Sequence, residues 1–215
     1  MKSFLENVTG SACNALKANS FSAVPLPLLP LGTVLFPGGT MVLKIFEQRY
    51  FDMAKICLKS GAPFGIALIR EGAEVGPPAV PESIGTVAYV TDWDMQNLGV
   101  LQLRVRGAER FKLLSWKASK NGLIAGQVSM LADDTHVDCP ELTACAEFLR
   151  KVFARPGAAD NTGNQRFDNA TWVGYRLTEL LPFNNDVKQR MLALTDARIR
   201  LQILHQFLID QRLIA

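Results

Sequence analysis

The sequence holds few of the residues on which covalent and metal chemistry most often rests. There are two histidines and four cysteines in 215 residues. Cys13, Cys57, Cys139 and Cys145 show no C-x-x-C spacing, which removes the usual redox and zinc-ribbon readings. Cys57 and Cys145 fall on apolar helical faces, where a cysteine behaves as a small hydrophobe. No apolar run reaches the ~18 residues needed to cross a bilayer. The N-terminus has Lys2 as its early positive residue and no continuous apolar core, so an export signal is not expected. Without an export signal, a disulfide framework is not expected either. A net charge of +3 is too mild to imply a polyanionic partner by itself. These absences point to a reduced, cytoplasmic compartment with no membrane span.

Catalytic motifs are missing as well. No G-x-x-x-x-G-K-[ST] occurs, so the backbone cradle for nucleotide phosphates is absent, and Gly38-Gly39 belongs to a turn. No G-x-S-x-G occurs, and neither His136 nor His205 has a serine or cysteine beside it in a recognisable catalytic pattern. Asp133, Asp134, His136, Asp138 and Cys139 are metal-ligand types, yet they supply at most two of the ~four N or S ligands a structural zinc wants. They read instead as a polar connector whose acids cap a helix. No catalytic residue, cofactor or metal is expected.

What is present is a chain long enough to bury a proper core, 48% hydrophobic and 20% charged. Residues 1–22 read as a tail. From Leu26 the chain reads as strand, Pro-Gly loop, strand, and a helix launched by Glu47. Pro27 and Pro30 deny an interior ladder position and place that first strand at a start or an edge. Tyr50, Met53, Ala54, Cys57 and Leu58 share a helical face that ends at Gly61. Residues 64–69 suit a buried strand and residues 72–81, with Pro77-Pro78, an exposed loop. Strand signals resume at residues 84–91 and 101–106. Residues 107–110 read as a turn, followed by strands at 111–116 and 122–131.

At residues 133–138 the apolar period changes from 2 to 3.6. Asp138, Pro140 and Glu141 start one helix. A second is predicted over residues 168–181, with Leu180 inward. Asn184, Asn185 and Asp186 cap a third, and Thr195 and Asp196 begin a fourth, the latter with Ile199, Ile203, Leu204, Phe207 and Leu208 inward. The expectation is an α+β chain. About six to seven mostly antiparallel strands with one early helix form a β-barrel over residues 23–132. A helical bundle follows over residues 133–215.

The run LPLGTVLFPGGTMVLKIFEQRY at residues 29–50, with FGIALI at 64–69 and IGTVAYV at 84–90, resembles the amino-terminal, substrate-binding domain of Lon-type ATP-dependent proteases. The likeness continues through RVRGAERFKL at 104–113 and, more loosely, LLPFNNDVKQRMLAL at 180–194. It covers most of the chain from Val24. Gln48 departs from the pattern, which usually has proline there and a fixed φ at the helix start. A complete Lon-type protease also needs an ATPase and a Ser-Lys proteolytic module, for which these residues leave no room. The resemblance implies a PUA-like barrel and a non-catalytic protein associated with proteolysis. It also implies recognition of unfolded or tagged polypeptide, or of a protein partner, through apolar surface at the barrel–bundle seam.

Phe36, Arg49, Tyr50, Trp93 and Trp116 are the candidates for that contact, as aromatic anchors with a few polar groups. Core packing is the competing reading for each. Glu47 would favour the helix dipole, and Arg49 would pair with a carboxylate across the barrel. The alternative is an RNA-binding module, since the PUA fold occurs in RNA-modifying proteins. Arg104, Arg106, Arg110, Lys112 and Lys117 lie in one stretch with Trp116 among them, a pattern that suits single-stranded RNA. Basic residues on an exposed strand edge serve equally to block pairing with other chains.

Overall fold

The computed structural model of the chain describes residues 25–97, 99–132, 139–155 and 165–214. The tail at 1–22 and the Asp133 to Asp138 cluster, including the cap predicted at Asp138, lie outside the described residues.

Six strands form one sheet: β1 (Leu26–Leu31), β2 (Thr40–Ile45), β3 (Phe64–Glu71), β4 (Val80–Asn97), β5 (Val100–Ala118) and β6 (Ile124–Leu131). The order is β2-β5-β4-β3-β1-β6, with β5 also pairing β6. That last pairing closes a ring through β5, β4, β3, β1 and β6. All pairings are antiparallel except β1 with β3. The ring closes because β5 changes neighbour on one side along its length. Residues 101–106 pair with β2, whereas residues 110–118 pair with β6.

Two expectations about the strands are corrected. The predicted turn at residues 107–110 is continuous strand, which merges two short strands into β5 and brings the count to six. Gly107 is there for close approach. Its carbonyl accepts from the Gly38 amide at 2.8 Å and its amide donates to Gly39 at 2.8 Å. A Cβ at this position would collide with the Phe36 carbonyl. Nor is β1 an edge strand. It pairs with β6 at residues 26–28 and with β3 at residues 28–31, so Leu28 alone is paired on both sides. Pro27 and Pro30 each sit where one side of the ladder is vacant, which is how a proline is tolerated between neighbours.

The early helix is α1 (Gln48–Ser60), and it ends at Gly61 with φ 70° in the left-handed region that favours glycine. Tyr50, Met53, Ala54 and Cys57 pack with Leu43, Ile45, Phe64 and Leu103. Four helices follow: α2 (Glu141–Phe153), α3 (Ala170–Leu180), α4 (Asn185–Ala193) and α5 (Ala197–Asp210). Asn184 caps α4 through the Val187 amide, and Asp196 caps α5 through the Arg198 and Ile199 amides. Asn169 does the same for α3. Leu201, Leu204 and Leu208 of α5 are buried, each stabilising by about 1.5–3 kcal/mol. Leu180, Ile199 and Ile203, expected inward, are exposed. The α5 stripe is narrower than its apolar content suggested.

The helices meet the strands at a filled seam. Val34, Phe36 and Leu68 share one core with the helices, and the Phe36 and Tyr175 rings stand 5.6 Å apart. Arg110 of β5 donates to the carbonyls of Leu192 at 2.7 Å and Leu194 at 2.8 Å. Arg200 donates to Met191 at 3.0 Å and to Leu194. The C-terminal carbonyls of α4, which no further turn satisfies, are thus held by two buried cations that also suit the helix dipole. Arg176 donates to Pro37 at 2.7 Å and Gln189 to Ile84 at 2.9 Å, tying α3 and α4 to the strand region.

Candidate functional site

The most recognisable polar positions of the sequence form a structural clamp. Glu47 precedes α1 and makes no side-chain cap; its carboxylate lies 2.8 Å from the Arg49 guanidinium instead. Arg49 also donates to the Gly122 carbonyl at 3.1 Å and lies 4.7 Å over the Tyr50 ring. One side chain therefore joins the start of α1 to the turn before β6. The carboxylate is its near neighbour in sequence, not one from across the ring. Arg49 is buried by these partners.

Phe36 is fully buried at the seam, so it cannot receive a partner; its selection as an anchor is corrected. The cause is its position in the Pro-Gly loop, which points into the helices and not outward. Trp93 and Trp116 are exposed, on β4 opposite Leu103 and on β5 opposite Gly126. Neither lines the cavity described next.

An open groove of 310 Å³ runs between β1 and β2. One wall is residues 29–31 with Thr33; the other is residues 41–47; Tyr50, Glu74 and Val75 complete it. Phe46 and Val75 are each 56% exposed and Val42 47%, so large apolar side chains stand about half in solvent on its lining. Glu74 holds its loop in place by accepting from the Gly32 amide at 2.6 Å. Tyr50 is the one anchor candidate that reaches this groove. Burial pushes its phenol above the ordinary value, against the pull of Arg49. Phe46 and Val75 were not selected from sequence. The signal available was Phe46 itself, a large apolar residue at the end of β2, beyond the last buried position.

The basic stretch is divided. Arg104, Arg106, Lys112 and Lys117 are exposed, whereas Arg110 is wholly buried and engaged at the seam, which removes it from any RNA-contact set. Its carbonyl partners explain why a cation occurs inside. Asp92 stands opposite Arg104 and Asp94 opposite Gln102, so acids interleave with the bases on that face. The described thiols are not poised as nucleophiles. Burial pushes Cys139 up to about 11 and Cys145 up to about 12, and holds Cys57 above its ordinary value. No helix among the described residues is long and apolar enough to cross a membrane.

Comparison with known proteins follows the same lines. The chain is 37% identical to a crystallised Lon N-terminal domain protein from Xanthomonas campestris, with a TM-score of 0.69, covering 83% of this chain and 95% of that one. The N-terminal domain of the Mycobacterium avium complex Lon protease shares the fold, with a TM-score of 0.61 at 18% identity over 87% of this chain and 98% of that one. A Lon protease of Anaeromyxobacter dehalogenans is 27% identical over 201 residues, which is 87% of this chain and 23% of that protein. Lon protease 2 of Myxococcus xanthus is 26% identical over the same 87%, and 24% of its own length. The chain thus spans about a quarter of the length of these curated relatives. The model of the ATP-dependent protease La (LON) substrate-binding domain matches residues 25–210, and the chain belongs to that family.

Proposed function

We propose that this chain recognises polypeptide, without bond chemistry of its own, and that it does so in the groove between β1 and β2. Membership of a substrate-binding family supports a substrate-recognition role. The observation that carries the location is the set of exposed apolar side chains, Val42, Phe46 and Val75, around a cavity of ligand size. The seam, where an apolar site was first expected, is occupied by Phe36, Tyr175 and the arginines that fill it. Of the five basic residues of the RNA reading, Arg110 is buried and the other four are exposed.

Fluorescence anisotropy with a labelled, permanently unfolded model protein tests the proposal. Binding is expected at tens of micromolar or tighter, and Phe46→Ser is expected to weaken it about tenfold, the scale of one large apolar contact. Circular dichroism should be unchanged, because Phe46 is mostly in solvent. Absence of binding, or equal binding by Phe46→Ser, defeats the proposal.

A further inference from the structure

A groove wall made of consecutive residues has a specific meaning. Side chains along a strand alternate between its two faces, so a cavity on a face touches every second residue. Here each of residues 41–47 lines the groove, and so does each of residues 29–31. The cavity therefore abuts the edges of β2 and β1. Both edges are vacant among the described residues. β2 pairs with β5 on one side and ends the strand order on the other. β1 pairs with β6 at residues 26–28 only, so past Leu28 its second side carries no strand. The ring is closed by β6 at one end, and at the other it has a gap bordered by two strand edges.

We infer that the occupant of this gap is a polypeptide segment in extended conformation, added as a strand along β2. The inference rests on the reading of the groove as a polypeptide site and supplies its mode. An open strand edge presents amide donors and carbonyl acceptors at a fixed repeat, which another extended backbone matches directly. β2 carries no proline through its six residues, whereas Pro30 on β1 has no N–H to offer, so β2 is the better template. Phe46 and Val75 then receive alternate side chains of the guest. Recognition of this kind tolerates many sequences. It requires a segment free of its own secondary structure, and a folded protein has no such backbone to lend.

The test uses the full chain and a seven-residue peptide that alternates leucine with threonine and carries a lysine at each end. Three forms are compared: unmodified, backbone N-methylated at the leucines, and backbone N-methylated at the threonines. Amides of one parity face one edge, so one methylated set should bind about tenfold or more weaker, having lost two or three hydrogen bonds. The other set should change less than about twofold. Amide exchange within Thr40–Ile45 should slow when the unmodified peptide binds. Equal behaviour of the two methylated sets overturns strand addition and leaves the groove reading intact, as does binding of unfolded protein without binding of the peptide. Failure of both unfolded protein and peptide to bind overturns the underlying reading. Dimerisation through β2 that the peptide cannot reverse, seen by sedimentation, assigns the edge to a second copy and also defeats the inference.

Discussion

At the seam, backbone carbonyls near the junction of strands and helices are taken up by side chains: Arg176 serves Pro37, Gln189 serves Ile84, and Arg110 serves Leu192 and Leu194. At the groove, a few residues away in the same stretch of chain, the edges of β2 and β1 have no strand against them among the described residues. The apolar side chains differ in the same sense. Phe36 is fully buried, and Phe46 is 56% exposed. A fold that leaves a buried carbonyl unpaired loses about 1–3 kcal/mol for each, and the helices relieve that loss where they cover the strands. At the groove α1 contributes Tyr50 to the lining, and no strand pairs with those edges among the described residues. The contrast separates what the chain needs in order to fold from what it leaves accessible.

The strongest way to break this contrast is to show that the two phenylalanines are alike. Phe36→Ala should lower stability by about 3–5 kcal/mol, as for other buried aromatic truncations. Urea unfolding of the folded fraction checks it. A loss as small as that at an exposed site would mean the seam is not a packed core. Arg110→Met comes next, with an expected loss of about 3 kcal/mol, because it keeps most of the volume and takes the donor from the Leu192 and Ala132 carbonyls, while Leu194 keeps Arg200. If the midpoint moved as little as for an exposed arginine such as Arg104, the seam would owe nothing to that guanidinium.

Much of the framework that these variants probe was legible in the sequence, for physical reasons that also define what was not. Capping is local, so Asn184 and Asp196 announced α4 and α5 within a residue or two. The α1 stripe and Gly61 did the same. Gly107 misled because a glycine needed for close backbone approach looks the same as one needed for a turn; its partner is the distant Phe36 carbonyl. Arg110 misled because its partners lie on α4 and just past it, and no local pattern records them. Ile199 and Ile203 are apolar at helical spacing yet lie on the exposed side of α5. The groove was illegible as a motif. It arises from which strand ends where, and Phe46 and Val75 meet only once β2 and the loop after β3 are placed.

The comparison is sharpened at the groove by a change that should touch binding alone. Val75→Asp places a carboxylate on the lining of a loop fixed by Glu74 and Gly32. Exposed substitutions of this kind usually shift stability by less than about 0.5 kcal/mol. Affinity for unfolded protein should nevertheless fall about tenfold, since the guest would have to desolvate a charge. Parallel titrations and melting curves read the two effects. A variant that lost stability and binding together would tie Val75 to the fold.

A pH-dependent effect lies back at the seam, at its charged rim. Glu179 is paired with Arg176 at 3.0 Å beside the Pro-Gly loop, and Lys188 donates to its backbone carbonyl at 3.0 Å. Burial pushes its carboxyl up to about 7, the two cations notwithstanding. Between the ordinary value of 4.5 and about 7, the folded protein therefore keeps a proton that the unfolded chain releases. More protons bound in the folded state means that stability falls as pH rises through this window. The contribution is complete below pH 4.5 and gone above about 7. Glu141 works in the opposite sense and at lower pH, because the Cys139 thiol donates to it and holds its carboxyl below the ordinary value. Its slope does not overlap the Glu179 window. Glu179→Gln should flatten the decline between pH 4.5 and 7 while leaving affinity at the groove unchanged, measured by urea midpoints and by anisotropy across that range. A slope that survived the substitution would move the responsible group elsewhere. A shift in groove affinity would show that the seam and the groove are coupled, and the separation drawn between them would have to be given up.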